Sequence, residues 1–302
     1  MEAPRYGRPV RIVSLLPSAT EIAFGIGAGD EVVGVTFECD YPVEARQRRI
    51  VSTSSLPEGL EPAQIDQAVR ERIAAGEDLY RLDRDALAGL DPDLVITQDL
   101  CAVCAVDVSD VRSALDYLGC SATVLTTDPN TLAEVLASIE QIGRAVSRDD
   151  EAAALVGGLR QRLDGVAAQR AGHPQPRVAV LEWTDPPFAP GHWVPEMVTA
   201  AGGRNVLGAA GQRSVPTTWQ AVADADQDLI VSAPCGFALD DSVRLGRQLL
   251  ESGQLPPEIP VWAVDANASF ARPGPRLVDG IEALAAIFSG DPPDPAIAVR
   301  VR

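Results

Sequence analysis

The chain contains no lysine: all 25 of its basic residues are arginine. That removes Schiff-base chemistry and the phosphate-binding lysine of a P-loop. No apolar run reaches the ~18 residues that a membrane-spanning helix needs. GxSxG, HExxH and GxGxxG are absent as well, so hydrolase, metalloprotease and dinucleotide chemistry have no local signature. Basic charge is also scarce. Against 43 Asp and Glu the net charge is −18, and such a surface repels phosphate backbones, which argues against a nucleic-acid partner. There are only 2 histidines and 5 cysteines, an odd number in a chain of 302 residues, which does not describe a small disulfide scaffold.

The first residues, MEAPRYGRPVRIVSLLPS, do not read as a secretion signal. Glu2, Pro4 and Pro9 interrupt them, and the apolar run covers only 12–16 with Ser14 inside it. The first cysteine is Cys39, so no lipid-acceptor cysteine lies near the start. The expectation from these features alone is a cytoplasmic protein.

What is present is alternation. RIVSLL (11–16), EVVGVT (31–36), DLVITQ (93–98) and ATVLTT (122–127) read as buried strands, and SATEIAFGIGAG (18–29) as a helix capped by Ser18. The pattern breaks at TLAEVLASIEQIGRAV (131–146), where Thr131 and Glu134 form a candidate capping box, and at a second helix over 149–172. At 1.5 Å per residue that second helix spans roughly 35 Å, the width of a small domain. Strands then resume at RVAVLEW (177–183), DLIVSAP (228–234) and VWAVDA (261–266), with helices at 194–203 and 275–288 and a loose proline-rich tail from Gly290. The fold class is α/β: two doubly wound lobes, 1–148 and 173–302, joined by a long rigid helix over 149–172.

Ligands of open α/β sheets bind beyond the carboxyl ends of the strands. Here those ends read LLPSATE, TFECDYP, TQDLCAVCA, EWTDPPFAPGHWVPE, SAPCGF and DANASFARPGP. Cys39, Cys101, Cys104 and Cys235 all follow strands, whereas Cys120 precedes one. Thiolates are soft ligands, and a CxxC supplies two from one loop, so these four can be packed thiols or a site for a single metal ion or Fe–S cluster. Glu38 and Asp40 flank Cys39 and would raise its thiol pKa, which is wrong for a nucleophile. His192 can ligate, titrate, or simply hydrogen-bond in its loop. Trp183, Phe188, Trp193, Phe237 and Phe270 can wall a flat ligand or pack a core, and Arg272 with Arg276 can fork onto an anion or pair internally.

The segments SLLPSATEIAFGIGAGDEVVGVTFECDYP, LAGLDPDLVIT, TDPPFAPG and FARPGPRL occur in an order that resembles the ABC-importer substrate-binding proteins for iron siderophores and cobalamin, over about 10–288. The resemblance implies two lobes on a helical backbone and a cobalamin or other corrinoid, or a related metal complex, held between the lobes. It implies no catalysis. The strand-end reading gives Cys39, His192, Trp193 and Phe237 as ligand-binding candidates; the resemblance places Phe37, Phe188, Phe270 and Arg272 at matching ligand-binding positions, and Ser54 and Gln98 at cleft positions. It also implies that Glu21 and Glu196 meet an ABC permease, if the protein is exported and keeps a periplasmic role; otherwise these are helix-start glutamates favoured by the dipole. Ser54 and Gln98 stand where the family offers tryptophans, and all four tryptophans lie in the second half at 183, 193, 219 and 262. The reading is a binding protein for a small metal complex, not inserted in a membrane. Its alternative is an intracellular Cys-ligated metal or Fe–S protein with a redox role, using Cys39, Cys101, Cys104 and Cys235.

Overall fold

A computed structural model describes residues 9–57, 59–98, 108–117 and 121–302; Asp99, Cys101, Cys104 and Cys120 lie outside the described residues. The chain forms two compact units: Met1–Pro129 with Leu136–Val156, and Asn130–Val135 with Gly157–Arg302. A 22-residue helix, Asp149–Arg170, passes from the first to the second.

The first unit is built on β1 (Ile12–Ser14), β2 (Val32–Thr36), β3 (Arg49–Ser54), β4 (Tyr80–Leu82), β5 (Leu94–Thr97) and β6 (Thr123–Thr126), in the order β4-β3-β2-β1-β5-β6. All neighbours are parallel except β4, which runs against β3. The chain leaves β1 on one side for β2 and later returns to its other side for β5, and such a reversal opens a crevice at the carboxyl ends of β1 and β5. Val13, Val51 and Val95 fill the core with Leu87, Leu90 and Leu115. Their branched side chains suit strands buried on both faces.

The expected strands are present but shorter than their apolar runs, while β3, β4 and the helix Pro62–Ala75 were not anticipated. Ser18 does not cap the first helix. Pro17 occupies its first turn after Leu16, which makes no side-chain cap, because the fixed φ of proline already suits that position. The capping box at Thr131 is real: Glu134 N donates to Thr131 Oγ1 at 3.2 Å, and Thr131 N to Glu134 Oε2 at 3.2 Å.

The second unit contains β7 (Arg177–Leu181), β8 (Trp183–Thr184), β9 (Pro187–Ala189), β10 (Arg204–Asn205), β11 (Val215–Pro216), β12 (Leu229–Ser232), β13 (Val261–Val264) and β14 (Ala298–Arg300). One sheet has the order β10-β7-β12-β13-β14; a smaller antiparallel one has β11-β9-β8. The tail from Gly290 is not loose. Its β14 pairs antiparallel with β13, bringing Val299 opposite Ala263 and closing that edge of the sheet. The long helix is fastened inside this unit: Arg162 Nη2 lies 2.6 Å from both Asp279 Oδ1 and Glu282 Oε2, and Nε donates to Glu282 Oε1 at 2.9 Å.

Candidate functional site

In the first unit, aromatic surface gathers at the carboxyl ends of β2 and β3. Phe37 follows β2 directly, donates its N–H to Ser52 O, and leaves 41% of its surface exposed. Tyr80 opens β4, and the antiparallel register places it opposite Ser54 at the end of β3. The Phe37 and Tyr80 rings are 6.3 Å apart at 43°. The Tyr80 hydroxyl donates to Glu38 Oε2 at 3.1 Å. Ser54 is half-buried, its Oγ accepting from Leu56 N, and Gln98 is buried at the end of β5.

The second unit carries a matching group. Trp183 and Phe188 are cross-strand partners in β8 and β9, and Phe237, after β12, stands 5.6 Å from Trp183 at 47°. All three are half-buried. The hairpin that presents them is locked by the segment 208–216. β11 pairs with β9, His192 N donates to Gln212 O, and Gly211 N donates to His192 O. Gly191 packs so closely on Arg213 and Ser214 backbone that a side chain would collide there. Glu182 Oε1 accepts from Gly191 N at 3.2 Å. Burial drives the Glu182 carboxyl up from 4.5 to about 7, against the opposing hydrogen bonds from Ser214 and Gly191.

Several expected ligand residues are elsewhere. Trp193 (6% exposed) and Phe270 (2% exposed) are core residues, and Trp193 Nε1 donates to Phe270 O at 2.7 Å. Neither offers a ring face to a ligand, since both are packed with Met197, Val198 and Leu284. Arg272 is buried, as a charge held within the protein by its own partners. His192 adopts a left-handed backbone with φ of 48°, and its Nε2 is buried without a hydrogen-bond partner. Burial first, then the nearby Arg213 charge, lowers its pKa and so favours the neutral ring. Its ring lies against Trp193, 5.6 Å between centroids.

The thiol site is not assembled among the described residues. Cys39 is buried with Sγ 3.0 Å from Thr20 Oγ1, Cys235 is exposed, and no group of three or more His, Cys, Asp or Glu is placed to hold a metal ion. Cys101 and Cys104 fall outside those residues. Glu21 does not sit on an outer face either: it is 4% exposed within the helix Pro17–Gly25. Glu196 is half-buried, and its Oε2 accepts from Leu132 N at 2.6 Å, at the start of the helix Leu132–Ala145. That favours the role of a dipole-complementing carboxylate. Two open concavities, one beside Arg11, Asp30 and Asp91 and the other beside Asp228, Trp262 and Arg300, lie at the opposite, amino ends of the strands and carry no aromatic pair.

Two groups at these strand ends escaped sequence reading. Tyr80 was invisible because β4 runs backwards, and only its pairing with β3 carries the ring to a carboxyl end. Glu182 gave no signal because one acid after an apolar strand does not reveal the loops that close over it.

This arrangement has relatives. Residues 12–247 match the family described as periplasmic binding protein. An ABC transporter substrate-binding lipoprotein of Bacillus subtilis is 27% identical, over 92% of this chain and 79% of its own length. A vitamin B12-binding protein of Vibrio cholerae is 26% identical, over 90% of this chain and 86% of its own. Among solved structures, a periplasmic haem-binding protein of Roseiflexus matches with a TM-score of 0.67 and 22% identity, over 94% of this chain and 99% of its own. These relatives are named for substrate binding rather than catalysis, and their periplasmic and lipoprotein descriptions do not support the expected cytoplasmic location. The intracellular Fe–S alternative is not supported either. The match to the family model spans most of the chain, and the chain belongs to the periplasmic binding protein family.

Proposed function

We propose that this protein is the extracytoplasmic substrate-binding component of an ABC importer and that its cargo is a corrinoid. The observation that carries the reading is the pair of partly bare aromatic groups at strand carboxyl ends: Phe37 with Tyr80 in one unit, and Trp183 with Phe188 and Phe237 in the other. A soluble protein leaves large aromatic faces uncovered at a small cost each, and grouping them where sheets bind ligands suits a broad, flat, partly apolar molecule. The B12-binding relatives support the corrinoid over other flat metal complexes. The ligand delivered to the permease is substrate, not a resident cofactor.

Titration with cyanocobalamin, followed by calorimetry and by the visible spectrum, tests this. Saturable 1:1 binding is expected. Trp183→Ala should weaken it by about tenfold to a hundredfold, from roughly 1–3 kcal/mol of lost apolar contact. Absence of any cyanocobalamin binding by the intact protein would remove the corrinoid reading.

A further inference from the structure

Glu182 is the junction of the second unit's aromatic group. It directly precedes Trp183. Its N–H donates to Phe188 O at 3.2 Å, and its carbonyl accepts at 3.0 Å from the N–H of Cys235, which stands just before the Gly236–Phe237 turn. One residue thus ties together the three segments that carry Trp183, Phe188 and Phe237. As a whole it is half-buried, but its carboxyl is the desolvated part, set between Gly191 N and the Ser214 hydroxyl.

The segment 208–216 is pinned to the same hairpin. Val215 and Pro216 pair with Ala189 and Phe188, the following Thr217 N donates to Pro187 O at 2.8 Å, and Ser214 Oγ donates to Ala189 O at 2.9 Å. A serine hydroxyl has one hydrogen to give. Ser214 stands beside both Ala189 O and the Glu182 carboxyl, so that hydrogen goes to one or the other. Protonated, Glu182 competes weakly for it and can donate its own hydrogen to Ser214 Oγ. Ionised, Glu182 competes strongly, because a hydroxyl bonds a carboxylate roughly twice as strongly as it bonds a neutral carbonyl.

We propose that Glu182 is a positioning residue for this aromatic hairpin, acting through Ser214: as an acid it leaves the Ser214 hydrogen on Ala189 O and the segment pinned, and as a carboxylate it draws that hydrogen away and loosens the hold on ligand. The inference rests on the reading that Trp183, Phe188 and Phe237 face the cargo, and it adds a proton-dependent control of that site. Burial raises the Glu182 carboxyl to about 7, which puts the exchange near neutrality. On the segments packed around it, the groups that carry or can gain charge are His192 after Gly191, Arg213 before Ser214, Asp185 in the hairpin turn and the Cys235 thiol. Burial and the Arg213 charge move the His192 titration to the acid side of its ordinary range, away from that of Glu182.

Cyanocobalamin affinity at pH 6 and pH 8, measured beside hydrogen exchange of the ligand-free protein, tests this. The parent should bind about threefold to tenfold more tightly at pH 6, the scale of one neutral hydrogen bond. Without ligand, amides of 208–217 should lose protection relative to β12 over the same interval, once the pH dependence of chemical exchange is removed. Glu182→Gln presents an amide that donates to Ser214 at every pH, so it should hold the tighter state and flatten both profiles. Ser214→Ala removes the shared hydrogen and should flatten them at the weaker level. A merely structural role would change the affinity and leave its pH profile as it was. A flat profile in the parent, or a step that survives in both Glu182→Gln and Ser214→Ala, overturns the inference while the corrinoid reading stands. So does a step that only His192→Gln removes. If cyanocobalamin does not bind at all, the corrinoid reading falls, and the hydrogen-exchange profile alone decides the inference.

Discussion

Two tryptophans separated by ten residues do different work. Trp193 is sealed in the core with its indole N–H on Phe270 O. Trp193→Phe should therefore leave that carbonyl unpaired and cost about 1–3 kcal/mol in urea unfolding, while cyanocobalamin affinity of the folded protein changes little. Trp183 is half-buried in a two-residue strand, so Trp183→Ala should show the reverse pattern, a large loss of affinity with a smaller loss of stability. Glu182 gives a pH signature. With its folded pKa raised from 4.5 to about 7, the folded chain keeps a proton that the unfolded chain has released within that window. Stability then falls as pH rises from about 4.5 to 7, and the penalty is fully present above the folded value. Urea midpoints at pH 5 and pH 8 should differ less in Glu182→Gln than in the parent, because the amide keeps the Gly191 contact without the charge. An equal pH slope in both proteins would remove Glu182 as the cause.

At the scale of elements, the second unit's aromatic hairpin depends on a backbone-to-backbone fit. Gly191 touches Gln212, Arg213 and Ser214, and Gly208, at φ of 69°, touches Pro190. A Cβ at either position meets backbone atoms that have nowhere to go. Gly191→Ala and Gly208→Ala should each destabilise by more than about 1 kcal/mol, and should weaken ligand binding in the fraction that folds because β8 and β9 lose their support. Unfolding curves together with titrations of the folded variants check both effects. The helix Asp149–Arg170 shows the opposite kind of fastening. Arg162 lies between Asp279 and Glu282, but all three side chains stay in partial contact with water, at 39%, 32% and 42% exposed, so Arg162→Ala should cost only about 1 kcal/mol.

Across the whole molecule, ligand binding and folding are linked. A ligand that binds only the native state at a hundredfold over its Kd adds about 2.7 kcal/mol of apparent stability. Cyanocobalamin should accordingly raise the thermal midpoint by several degrees. No shift at saturation would contradict specific binding to the folded state. The net charge of −18 acts on the same balance, since self-repulsion opposes the compact state and added salt screens it. The midpoint should therefore also rise between low and physiological ionic strength, whether or not ligand is present.

The alternation of apolar runs with helical periods determined the α/β class by itself. It located β1, β2, β5, β7, β12 and β13, because strands buried on both faces must be continuously apolar, and also β6, an edge strand only partly buried. The Thr131–Glu134 capping box was also legible, since its four residues contain the whole interaction. The order of motifs, rather than any single residue, carried the family. What the sequence could not carry was which polar and aromatic residues at the strand ends face outward. Trp193 and Trp183 sit in equally promising strings, and only packing separates the core residue from the half-bare one. Tyr80 reaches Glu38 across 42 positions through an antiparallel pairing that its short, mixed strand does not announce. Cys39 stands beside carboxylates in the chain but lies against Thr20 in the fold. Periodicity is a local property and survives in one dimension; burial, register and the partner of a polar group are set by residues far along the chain, and only the tertiary structure decides them.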